Sequence, residues 1–222
     1  VVLSRVSTSA LPGKQTIFFY ALWCLSAVVS SFFLRGGAAL APVQIGMEIF
    51  DAAFTLVWVL ALRRDILRLY VSSKAGFKPY LVALVAAYPV ALIIHSFVTV
   101  LERKFSLPVV SVARTFLDGG FGWGVVFVSV CVQPAVIEEL AFRGVILTTL
   151  ADVMKPVETI VVAAIAFSIM HFSVVMFAPF VLMGLYLGWL RQWSGSLWPA
   201  MLAHFLHNSL VTLHEARAIF PL

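Results

Sequence analysis

A chain of 222 residues that is 62% hydrophobic and only 11% charged does not describe a soluble domain, because a water-facing surface brings the charged share of a globular protein to roughly 25%. Its apolar runs are too long for core helices and lack the alternation of barrel strands, which leaves a polytopic all-α membrane protein built as a transmembrane helical bundle. The net charge of +5 comes from Lys and Arg gathered between those runs, the pattern of loops beside a cytoplasmic leaflet rather than of a nucleic-acid surface.

Seven spans are predicted, within a range of six to eight: residues 16–34, 41–62, 80–101, 121 to about 150, 159–177, 179–190 and 197–213. At 1.5 Å of rise per residue, ~20 residues cross the hydrocarbon layer, and the first three runs meet that length unaided. The fourth is long enough to be one helix turning at Gly144 or a span followed by an interfacial helix. The last three are shorter and flanked by Pro179 and Pro199, as in tilted or partly unwound helices around an aqueous cavity. No repeat, low-complexity tract or soluble domain is visible, so residues 1–222 are read as one membrane domain. No signal-peptide pattern stands apart from the first span.

The link after the second span holds Arg63, Arg64, Arg68, Lys74 and Lys78. Placing it in the cytoplasm brings Arg5, Lys14, Arg143, Lys155 and Arg191 to the same side. Arg35, Arg103, Lys104, Arg114 and Arg217 then lie opposite. Ten against five predicts a multi-pass protein of the plasma (inner) membrane with a cytoplasmic N-terminus. Trp189, Trp193 and Trp198 fit an interfacial aromatic belt. Cys24 and Cys131 sit inside apolar runs and read as small core residues, with no disulfide or Cys-based metal site.

An ionisable side chain at mid-membrane costs roughly 2.5–3.5 kcal/mol on insertion scales, so each needs a partner or a function. Glu48 and Asp51 share a face of the second span and are expected to lie at the interface or to pair with an Arg of a neighbouring span. His95 in the third span is read as a satisfied polar contact. The run Glu138-Glu139-Leu140-Ala141-Phe142-Arg143 is more demanding, because two adjacent carboxylates in a dry site cannot both stay charged and unpaired. Glu139 and Arg143 are four apart in the favourable order for an ion pair, which leaves Glu138, ~100° around the helix, free to act as a general base. His171 then enters in the fifth run, and His204 and Asn208, stacked one turn apart, in the last. His207 lies on a flank that either joins the site or faces the headgroups. No packing argument requires such a set on three apolar helices, so the side chains are expected to converge.

The Glu-Glu-x-x-x-Arg run at 138–143, the Phe-x-x-x-His run at 167–171 and the His-x-x-x-Asn run at 204–208 resemble the three motifs of the CPBP family. These are membrane-embedded proteases that include type II CAAX prenyl endopeptidases and bacteriocin-processing or immunity proteins. The resemblance covers about 117–213, taking in Gly184, Gly188, Trp189 and Leu190 and the turn Gly195-Ser196-Leu197-Trp198-Pro199, and points to a bacterial-type member. It implies an intramembrane endopeptidase acting on membrane-tethered, lipidated or hydrophobic peptides. Glu138 and His171 would activate water, His204 with Asn208 would stabilise the oxyanion, and Arg143 would orient Glu138 and Glu139. A metal-free mechanism is expected. A zinc ion held by Glu138, His171 and His204 is the competing assignment. A non-catalytic subunit or immunity protein of a larger membrane complex, and a proton or ion path, remain the readings from other classes.

Overall fold

The computed structural model describes residues 13–34, 40–71, 75–106 and 111–219. In chain order its helices are α1 (Gly13–Leu34), α2 (Leu40–Leu62), α3 (Arg64–Val71), α4 (Phe77–Phe105), α5 (Val112–Asp118), α6 (Trp123–Leu150), α7 (Pro156–Ile169), α8 (Phe177–Ser194) and α9 (Trp198–Ile219). The described residues contain no strand. Stretches 41–62, 77–105 and 123–150 are long and apolar enough to cross a membrane, and 13–29 and 156–169 are shorter apolar helices. The outer faces carry exposed Ile49, Leu84, Val85 and Ile93, an inside-out surface that suits lipid rather than water.

The seven predicted runs fall on α1, α2, α4, α6, α7, α8 and α9, of which α2, α4 and α6 are long and apolar enough to cross a membrane, and the fifth run outlasts α7, which ends at Ile169. Two short helices were not expected. α3 lies within the basic link, with Asp65 in its first turn and Arg68 in its last, charges that complement the helix dipole. α5 is capped by Ser111, whose Oγ accepts from Arg114 N. Glu215 of α9 anchors that cap by accepting from Ser111 Oγ at 2.8 Å and from Ala113 N at 3.0 Å.

The stretch 123–150 is one continuous helical run, and it does not turn at Gly144. Gly144 instead admits a neighbour: a Cβ there would lie 3.0 Å from Ile66 Cγ2 of α3. Phe127–Val132 and Leu140–Ile146 are wound as π-helix, a local widening that often accompanies functional sites. The α-helical turn between them, Gln133–Glu139, carries the two adjacent glutamates.

α7 and α8 run antiparallel in close contact because α8 offers glycines to α7. A Cβ on Gly184 would lie 2.8 Å from both Cα and Cβ of Ala164, and one on Gly188 would lie 3.1 Å from Ile160 Cγ2. Small residues at four-residue spacing let helix backbones approach in this way. The principal core, with Phe142, Phe167, Leu140 and Leu197, gathers around α6.

Three of the arginines expected to face the cytoplasmic leaflet, Arg63, Arg143 and Arg191, are instead buried. Arg63 is held by Asp65 and Thr149. Arg5, Arg35 and Lys74 lie outside the described residues.

Candidate active site

Glu139 is fully buried and is the acceptor around which the site is built. Its Oε1 takes Arg143 Nη1 at 2.7 Å and lies 2.9 Å from His204 Nδ1 on α9. A carboxylate can only accept, so His204 Nδ1 carries the proton and the neutral ring presents Nε2 as an acceptor. Arg143 also donates from Nη2 to the Gly184 carbonyl at 3.3 Å, and its guanidinium lies 4.5 Å from the centre of the Phe167 ring. One buried arginine therefore ties α6, α7 and α8 together as well as balancing Glu139.

Glu138, the next residue round the helix, is directed differently. Its Oε2 stands 4.0 Å from His204 Nε2, too long for a direct hydrogen bond and short enough for one small group to bridge. The predicted ion pair of Glu139 with Arg143 is present, and it leaves Glu138 without a short bond to that pair.

His171 is near this group but not inside a helix as expected. α7 ends at Ile169, and the histidine lies in the turn that leads to α8. That turn is shaped by Phe172 at φ 47° and by Ser168 Oγ, which donates to the Phe177 carbonyl at 2.7 Å. His171 Nδ1 donates to the Phe167 carbonyl at 2.8 Å, and its ring stacks on Phe180 with centroids 3.8 Å apart. In the neutral ring this also makes Nε2 the acceptor. Phe167 lies between the two histidines, its centroid 4.8 Å from His171 and 6.2 Å from His204.

Asn208 is one turn beyond His204, but its hydrogen-bond partner is backbone. Nδ2 donates to the Val130 carbonyl at 2.8 Å. Pro134, four residues after Val130, has no N–H to give that carbonyl, so the asparagine supplies the missing donor and pins α9 to the π-helical segment. His207 Nδ1 is buried and finds no hydrogen-bond partner among the described residues. Cys131 Sγ meets Thr212 Oγ1 at 3.5 Å, consistent with a structural thiol.

Among the described residues, the acidic residues of α2 are not paired with an arginine of another span. Gln44 Nε2 donates to Glu48 Oε1, and Gln133 Nε2 of α6 donates to the Glu48 carbonyl, both at 3.3 Å. Asp51 lies close enough to Glu138 for their charges to interact. A signal for this placement was present in the spacing: Gln44, Glu48, Asp51 and Thr55, at intervals of four, three and four, form a polar stripe on one helical face. His95 lies elsewhere, with its ring 4.4 Å from that of His214.

No group of three or more His, Cys, Asp or Glu is assembled as metal ligands among the described residues.

Residues 120–210 match the family model described as type II CAAX prenyl endopeptidase Rce1-like. The match spans the two glutamates, Arg143, both site histidines and Asn208, so this segment is similar to a protease family. No curated protein and no solved structure matches the chain.

Proposed function

We propose that this Rce1-like core is a working intramembrane endopeptidase that hydrolyses membrane-tethered, lipidated or hydrophobic peptides with water as the nucleophile. The observation that carries the reading is the pairing of Glu138 with His204 across 4.0 Å, while Glu139 fixes the histidine from behind and Arg143 compensates Glu139. A bare packing role does not call for a second carboxylate aimed at an imidazole that already has its partner.

In this mechanism Glu138, assisted by His171 Nε2, takes a proton from a water as its oxygen attacks the scissile carbonyl carbon. The C–O bond forms, the carbonyl π pair moves to oxygen, and the resulting oxyanion needs donors. His204 serves after Glu138 passes the proton taken from water to His204 Nε2, 4.0 Å away, which donates to the oxyanion and returns the proton to Glu138 on collapse. Asn208 has a second Nδ2 hydrogen left after bonding Val130. Collapse of the tetrahedral intermediate breaks the C–N bond, and the proton held by Glu138 passes to the leaving amine. Each product then has its full complement of atoms, a carboxyl on one side and an amine on the other.

Glu138 lies near the middle of the run 123–150, so the scissile bond must enter the bilayer interior, which suits an apolar or lipid-anchored segment. With the N-terminus in the cytoplasm of a plasma-membrane protein, cleavage falls toward the cytoplasmic half. The test compares membrane peptide termini from cells carrying the wild-type chain with those carrying Glu138→Ala. Cytoplasmic juxtamembrane termini present only with the wild type support the reading. Unchanged termini, together with co-purification at fixed stoichiometry with a larger membrane complex, replace the protease with a binding subunit.

A further inference from the structure

Two of the five histidines meet each other rather than the candidate active site. The rings of His95 on α4 and His214 on α9 have centroids 4.4 Å apart and planes inclined at 57°. The packing of the two helices brings them together. Ala83 of α4 and Ala200 of α9 share one apolar cluster, and His95 and His214 follow those alanines by ~18 and ~21 Å of helix, so α4 and α9 run side by side in one direction. Measured from Trp198 of the aromatic belt, His214 stands ~24 Å along α9, which brings the pair toward the far edge of a hydrocarbon layer about 30 Å thick. Both side chains are exposed.

The chemistry and the spacing of this pair both call for a ligand. Among the described residues neither ring has a hydrogen-bond or ion-pair partner, although an imidazole at the edge of hydrocarbon gains from having its nitrogens engaged. Each neutral ring offers one nitrogen lone pair, and two such rings on adjacent helices are a donor set for late first-row metals. A metal about 2.0–2.1 Å from an imidazole nitrogen stands roughly 3.2 Å from the ring centre. Ring centres 4.4 Å apart therefore subtend about 90° at a shared ion, the cis angle of tetragonal Cu²⁺ or Ni²⁺. A tetrahedral ion would need the centres about 5.2 Å apart. Glu215, the next residue on α9, is committed to Ser111 and Ala113, which leaves water to complete the shell.

We infer that His95 and His214 form a two-imidazole site for a late first-row metal dication, Cu²⁺ in preference to Zn²⁺, that clips α4 to α9. The site is separate from the glutamate and histidine cluster and does not rest on the protease reading. His204 lies about 15 Å away along α9, on the same helix that the ion would hold against α4.

The test titrates the full chain, free of any affinity tag and in detergent micelles, with Cu²⁺, Ni²⁺, Zn²⁺ and Mg²⁺, read by calorimetry and, for Cu²⁺, by electron paramagnetic resonance. One Cu²⁺ per chain should bind, with two nitrogens in its shell, more tightly than Ni²⁺ or Zn²⁺, and Mg²⁺ should not bind. His95→Gln and His214→Gln should each weaken Cu²⁺ at least about tenfold, the loss that even an outer partner of a ligand can cause, and should reduce the nitrogen count to one. Cu²⁺ should raise the melting temperature of the wild type and not of the double variant. Both positions are exposed, so the variants should melt like the wild type in chelator; the wild-type nitrogen count tests the site even where they do not. Absence of saturable Cu²⁺ binding, which leaves two hydrated rings, overturns the inference. So does Cu²⁺ that stays in the double variant, or that is lost instead with His171→Gln, His204→Gln or His207→Gln.

Discussion

Replacing Arg143 by Met should be among the most damaging substitutions in the core, and the reason is Glu139 rather than the arginine itself. The guanidinium and the carboxylate are 1% and 0% exposed, 2.7 Å apart. Removing the cation strands an ionised carboxylate whose remaining polar contact is His204 Nδ1. Breaking a buried pair from one side typically costs about 3–5 kcal/mol, or roughly a 10²- to 10⁴-fold loss in the folded-to-unfolded ratio. If that is the origin, neutralising the stranded partner should repair much of the damage. The double variant Glu139→Gln/Arg143→Met should recover most of the loss, the remainder reflecting the Gly184 carbonyl and the Phe167 ring that Arg143 also engages. Equilibrium unfolding in mixed micelles on the wild type, both singles and the double measures each step. A single Arg143→Met variant as stable as the wild type, or a double no better than that single, would refute the reasoning.

Gly184→Ala places a methyl 2.8 Å from Ala164 backbone and side chain, so α7 and α8 must part and unfolding should be easier by about 1–3 kcal/mol. Gly188→Ala, whose methyl would meet the Ile160 side chain at 3.1 Å rather than backbone, should cost less, and the reverse order in thermal melts would contradict the packing. Arg191 is 2% exposed, and its Nε and Nη1 find no partner among the described residues. Arg191→Met should therefore leave stability unchanged or raised by up to ~4 kcal/mol, and a loss as large as that of Arg143→Met would count against it. On the metal-free mechanism, dialysis against a chelator should leave peptide cleavage intact; activity that falls and returns with zinc would replace that mechanism with the zinc assignment.

The legible part of the molecule was the part governed by one-dimensional patterns. Continuous apolar runs placed seven of the helices, since lipid forces every backbone group into intrahelical bonds. Four-residue spacing also gave the Glu139–Arg143 pair. What the pattern could not supply was the outcome of contacts between helices. His171 falls in a turn because Ser168 and Phe172 close α7 two residues earlier, and Asn208 is drawn to the Val130 carbonyl because Pro134 leaves it without a donor. The count of basic residues treated Arg63, Arg143 and Arg191 as loop charges, although their partners or packing bury them. Glu48 and Asp51 were set apart because the family-like motifs begin later in the chain. Only the packing of α2 on α6 shows that they look into the same interior.

The most direct test of the account is the rate of cleavage of a membrane-tethered peptide by the wild-type chain and by Glu138→Gln, reconstituted side by side in proteoliposomes. Glu138 makes no short hydrogen bond that holds the fold, and its nearest ionic partner is 4.0 Å away, so the variant should insert and melt like the wild type. Loss of the group that takes the proton from water should lower the single-turnover rate by about 10²- to 10⁴-fold. Cleavage by Glu138→Gln at the wild-type rate would contradict the glutamate-activated mechanism.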